Sequence, residues 1–176
     1  MKKLLPLLAL AACGGNEDLE RYEAWVGVYR VDAYHLDESD CAPGGPDADA
    51  PSSHLSLEAT VFEEDALLRA VRCDTADQCQ SGLHFEIVVD SVSETRITGQ
   101  GGEARFFPIS AEEGACNLQI ARVEMTRDGD AVHAAIRRLD VRDLRVPTQQ
   151  DCIDTIEALT DEDCVAFEEI DLTQVR

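Results

Sequence analysis

Lysine is almost missing from this 176-residue sequence: Lys2 and Lys3 are the only two, and every later basic residue is an arginine. Taking those two from the 15 basic residues leaves 13 against 36 acidic ones, a formal charge of −23 for residues 13–176. A surface of that sign repels nucleic acid and anionic membrane, so polyanion partners are excluded. It still admits a cation or a basic protein. Aromatic residues are sparse at 5%, and no apolar run reaches the roughly 20 residues that a spanning helix needs. No C-x-x-C pair occurs, which argues against a zinc site built on paired cysteines. The four histidines, His35, His54, His84 and His133, show neither H-x-x-H nor H-E-x-x-H spacing, so no metal is expected. Ser81-Gly82 lacks the surroundings of a nucleophile elbow, and the scattered histidines define no Ser/His/Asp order. Gly99-Gln100-Gly101-Gly102 is followed by neither a lysine nor a helix start, so it reads as a hairpin turn and not as a phosphate loop. No catalytic residue, cofactor or enzyme activity is expected.

What is present begins with an export signal. Lys2 and Lys3 form a positive start, Leu4-Leu5-Pro6-Leu7-Leu8-Ala9 a short apolar stretch, and Leu10-Ala11-Ala12-Cys13 the end of the segment. Those last four residues resemble the lipobox of bacterial lipoproteins. The resemblance implies that residues 1–12 are removed and that Cys13 takes a diacylglyceryl thioether. The chain would then be held at the cell envelope by its lipid, because several acyl chains anchor stably where one is marginal. Gly14 follows the cysteine where an Asp would retain the protein at the inner membrane, so the outer membrane is the implied location. Residues 13–21 read as the lipidated cysteine and a flexible tether. Its polar stretch Gly14–Asp18 reaches on the order of 20 Å at about 3.5 Å per residue.

The remainder, 22–176, has the length of a single domain with a real core. Six cysteines besides Cys13 fall in it: Cys41, Cys73, Cys79, Cys116, Cys152 and Cys164. An even number in an exported chain points to three disulfides. Six cysteines allow 15 pairings, and short separations favour Cys73–Cys79 and Cys152–Cys164, leaving Cys41–Cys116.

Alternation with period two dominates this domain. Trp25, Gly27, Tyr29, Val31 and Ala33 share one face of a first strand. Leu55, Leu57, Ala59 and Val61 share a face of the next. Leu83, Phe85, Ile87 and Val89 alternate with His84, Glu86 and Asp90. Weaker strands cover 66–73, 94–99 and 103–109, and longer ones 116–126 and 131–141, joined through Asp128-Gly129, a strong hairpin signal. In both long strands the apolar phase slips, which paired bulges would explain. Residues 37–53 form a long loop rich in Pro, Gly, Asp and Ala. Thr148-x-x-Asp151 has the form of a capping box ahead of a helix carrying Cys152, Ile156 and Leu159, and a last strand runs from Val165 to Val175.

The expected fold is therefore all-β: an antiparallel meander of about eight strands that closes to remove its edges, with one C-terminal helix and a terminal strand. That element order, with the early Trp25-x-Gly27-x-Tyr29, resembles a lipocalin-like barrel. The resemblance implies a small apolar ligand inside the barrel, with Trp25, Tyr29, Phe85 and Phe106 as candidate lining residues. Asp37, Glu38, Asp40, Asp47 and Asp49 offer oxygen ligands in the long loop but fit no EF-hand spacing, so a solvated acidic loop is favoured over calcium. The alternative reading of the domain is a protein-interaction module acting through its acidic surface and loops. In a simple meander with these strands, Cys41, Cys73 and Cys79 fall at one end and Cys116, Cys152 and Cys164 at the other.

Overall fold

The computed structural model describes residues 20–62, 65–79, 82–110 and 112–175; the signal segment and Cys13 lie outside them. Alternating apolar residues build eight strands: β1 (Gly27–Asp37), β2 (His54–Phe62), β3 (Asp65–Cys73), β4 (Leu83–Val92), β5 (Arg96–Pro108), β6 (Gly114–Asp128), β7 (Ala131–Val146) and β8 (Cys164–Gln174). Helix α1 (Gln149–Ala158) and a 3-10 turn at Asp161–Asp163 lie between β7 and β8. Each strand pairs antiparallel with the next, and β8 returns to pair with β1, so the ring is a closed barrel. Closure leaves no unpaired edge. Among the described residues no helix is long and apolar enough to cross a membrane.

One end of the barrel is sealed. Residues 20–25 form a helical turn in which the Trp25 and Val26 amides donate to the Tyr22 carbonyl. This drives the fully buried Trp25 indole into the barrel's end, where its Nε1 donates to the Ser93 carbonyl at 2.8 Å and its own carbonyl accepts from the Tyr29 hydroxyl at 2.8 Å. Above it, Tyr29, Leu55, Leu57, Leu68, Ile87, Ile97, Met125, Ile136 and Ile170 fill the barrel's interior. The other end carries the long connections 38–53, 74–82, 109–113 and 147–163.

Two sequence expectations need correction here. Gly99-Gln100-Gly101-Gly102 is no turn: β5 runs straight through it, so 94–99 and 103–109 belong to one strand. Glycine is needed because β5 presses on its neighbours, and a Cβ on Gly101 would collide with the Glu86 carbonyl of β4. Nor do bulges cause the phase slip in β6 and β7, whose mutual register is unbroken from Leu118↔Val141 to Asp128↔Ala131. The two phases serve two cores. Val123, Met125, Val132, Ala134 and Ile136 face the barrel interior. Leu118, Ile120, Leu139 and Val141 face outward into a second cluster with Cys152, Ile156 and Leu159 of α1. Thr148 caps the helix as the sequence predicts, the Asp151 amide donating to its Oγ1 at 3.2 Å, while the Asp151 carboxylate reaches back to the Thr148 hydroxyl in place of its backbone amide. Arg122, also outward, donates to the carbonyls of Ile156 and Leu159 and so satisfies the helix's other end.

Three disulfides form, but only Cys73–Cys79 is a pair that short spacing favours. The others are Cys116–Cys152 and Cys41–Cys164, in place of Cys152–Cys164 and Cys41–Cys116. The helix lies on the outer face of β6, which sets the buried Cys152 against the buried Cys116. Closure of the ring brings the start of β8 alongside the end of β1, which sets Cys164 beside Cys41. With β5 a single strand, all six cysteines fall at the open end.

Candidate functional site

Charged residues enter the barrel just below its open end. The inward phase of β7 continues Val132, Ala134, Ile136 with Arg138; that of β3 continues Leu68, Ala70 with Arg72; that of β8 places Glu168 before Ile170 and Leu172. Register sets Glu168 beside Ile136 on one side and Leu36 on the other, with Arg138 one inward position further up β7. On β4 a bulge opposite Ala70/Val71 breaks the alternation. His84 therefore turns inward together with Phe85, both being buried, while Leu83 is left exposed.

These residues meet on one carboxylate. Glu168 is 3% exposed. Its Oε1 accepts from Arg138 Nε, and its Oε2 accepts from the Tyr34 hydroxyl at 3.1 Å. His84 Nε2 lies 3.2 Å from Oε2, an ion-pair distance but off the line of a hydrogen bond. Burial, the largest influence, pushes the Glu168 carboxyl up; the close approach of His84 and Arg138 to it overcomes burial and holds the group at about 2. Tyr34 moves the other way. Burial first, then the Glu168 charge, raise its hydroxyl to about 12. At neutral pH the cluster thus holds an ionised Glu168 and a protonated Tyr34.

Two of its members are not satisfied. Neither ring nitrogen of His84 makes a hydrogen bond, and Arg72 Nε has no hydrogen-bond partner, all among the described residues. A buried polar group left so costs about 1–3 kcal/mol. A cavity of about 700 Å³ adjoins the cluster, lined among others by His84, Phe85, Gly101, Gln119, Arg138 and Asp140. It lies on the open-end side of the last β4–β5 pair, Val88↔Gln100. Its outer rim is the cross-strand row Glu103↔Gln119↔Asp140.

No family model, no curated protein and no solved structure matches this chain. Of the four aromatic residues singled out in the sequence, Trp25 and Tyr29 belong to the sealed end and the packed interior, and Phe106 packs on the outer cluster near α1. Phe85 is the one that lines this cavity. The polar residues Tyr34, Arg72, His84, Arg138 and Glu168 carry the site, and a charge standing in the inward phase of an apolar strand is the signal that marks them.

Elsewhere, His35 lies 3.0 Å from Asp47, and His133 lies 2.8 Å from Asp171, on the outer wall. Among the described residues no three His, Cys, Asp or Glu side chains are grouped as a metal ion requires. In the 37–53 loop the Asp37 carboxylate accepts from the amides of Ser39, Asp40 and Ala42. Those bonds, led by the Asp40 amide, lower its carboxyl to about 2.

Proposed function

We propose that the chain is a non-enzymatic lipoprotein of the cell envelope, held at the membrane through Cys13, that binds a small ligand in the open end of its barrel. The observation that carries this reading is the cavity of about 700 Å³ beside a buried imidazole with no hydrogen-bond partner. Ligand pockets have that size and combine apolar walls with a few convergent polar groups. Here Phe85, Ala121 and the glycines of β5 supply the apolar contact, and His84 and Arg138 the polar one. The barrel interior beneath is filled, so the ligand sits in the mouth and not along the axis. The fixed protonation states of Glu168 and Tyr34 favour binding over proton transfer.

The test is native mass spectrometry of the full chain carrying Cys13→Ser, purified from an oxidising compartment and repeated after denaturation. A species heavier by a few hundred daltons, lost on denaturation, supports the reading. A bare mass, with no small molecule retained at any loading, removes it and leaves the interaction module acting through the acidic surface. That alternative predicts salt-sensitive capture of a basic partner from envelope extract. Palmitate labelling of the unsubstituted chain, abolished by Cys13→Ser, tests the anchor separately.

A further inference from the structure

The geometry points to a compact carboxylate as the ligand of this cavity, its anionic group seated between Arg138 and His84. The inference rests on the ligand-binding reading above and specifies its chemistry. Charge is the first argument. The charged layer contains two guanidinium groups, Arg72 and Arg138, and one carboxylate, Glu168, with Tyr34 protonated beside it. Two guanidinium groups stand against one carboxylate, and Arg72 Nε and His84 Nδ1 have no acceptor among the described residues. What the layer is short of is an anion with free lone pairs.

Geometry is the second. Arg138 meets Glu168 through Nε, which leaves its paired Nη groups, the fork that fits a carboxylate, uncommitted by that contact. The Arg138 side chain is about one third exposed and lines the cavity, so an incoming group can reach it. His84 is buried on the opposite wall and lines the same cavity. A carboxylate oxygen accepts from an imidazole N–H and a guanidinium together.

The acidic rim does not forbid this. Each carboxylate around the cavity holds its own arginine: Glu86 pairs with Arg69 at 2.8 Å, Glu103 with Arg105, and Asp140 with Arg142 at 2.7 Å. Gln119, between Glu103 and Asp140 in the register, is neutral. The rim therefore presents ion pairs and an amide, whereas the inner wall presents His84 and the Nη groups of Arg138 that its contact with Glu168 does not use. Ile87, Ile136 and Ile170 pack fully buried below the charged layer, which closes the way to a long chain and limits the ligand to a compact body.

The experiment is titration calorimetry on the full Cys13→Ser chain with two matched sets, phenylacetate and cyclohexanecarboxylate, each against the amine and the alcohol of the same skeleton. The carboxylates are expected to bind at least about tenfold tighter than the alcohols, with the amines weakest. Arg138→Lys keeps a cation beside Glu168 but loses the fork. It should weaken the carboxylates about tenfold and leave the alcohols unchanged, with circular dichroism confirming that the variant folds. Amines or alcohols binding as tightly as carboxylates, or carboxylates indifferent to Arg138→Lys, would overturn the proposal while the ligand-binding reading stands. No carboxylate binding at millimolar concentration overturns it too, and an empty native mass spectrum besides removes the reading it rests on.

Discussion

Glu168 shows how one residue is held where its chemistry alone would not put it. A carboxylate taken out of water favours its proton, yet this one stays ionised because Arg138 on β7 and His84 on β4 face it, with Tyr34 of β1 donating and Arg72 of β3 nearby. Removing one partner of a buried pair costs more than the pair is worth, since the other charge is left behind. Glu168→Ala is therefore expected to destabilise the fold by about 3–5 kcal/mol, read from urea unfolding at neutral pH. The pH dependence has a definite sign. The folded carboxyl lies below its ordinary 4.5, at about 2, so its contribution is complete above pH 4.5 and is lost as pH falls toward 2. Subtracting the Glu168→Gln profile from that of the parent should leave a slope confined to that window. A flat difference would mean that the pairing is not felt. The clue to this cluster stands in the sequence, as Arg72, Arg138 and Glu168 each occupy an inward apolar phase. His84 is hidden from the same reasoning, because strict alternation sends it outward and only the bulge on β4 reverses it.

At the scale of elements, period two tells which residues share a face but not what covers that face. The apolar slip in β6 and β7 has the same appearance whether a bulge or a second core causes it, and the helix decides for the second core. The glycine run in β5 is ambiguous for a similar reason: glycine marks a turn, and equally a place where two backbones come close. The Thr148 helix cap and the Asp128-Gly129 hairpin are legible because their signals are local. Since Gly101 answers to backbone and not to a movable side chain, substitution there has no cheap relief. Gly101→Ala is expected to cost about 2–3 kcal/mol and to lower the melting temperature by roughly 5–10 °C. A melt within about 2 °C of the parent would mean that β5 can draw away from β4 without loss.

Over the whole molecule, the barrel's two ends are built differently, and the cysteines report it. The sealed end relies on packing around Trp25, whereas the end carrying the cavity and the long connections holds all three disulfides. Sequence distance is a poor guide to these pairs because the ring brings its first and last strands together, and local spacing carries no trace of that closure. The consequence is a ranking of the cross-links. Cys41–Cys164 spans 123 residues of chain and Cys73–Cys79 only 6. Restriction of the unfolded chain gives about 4–5 kcal/mol for a loop of the first size and roughly half that for the second. The nested bridges shorten the long loop's effective length and bring its value toward the lower figure. The Cys41→Ser/Cys164→Ser pair should therefore lower the melting temperature by roughly 8–16 °C, about twice the effect of Cys73→Ser/Cys79→Ser. The same double variant should also loosen the open end, because the 38–53 connection is tied to β8 through that bridge and the contact from the Gly44 amide to Glu169. Hydrogen exchange would then rise in 38–53 and in the first residues of β8 while the Trp25 end stays protected. Equal effects from the two double variants would show that closure of the ring is secured by its hydrogen bonds alone.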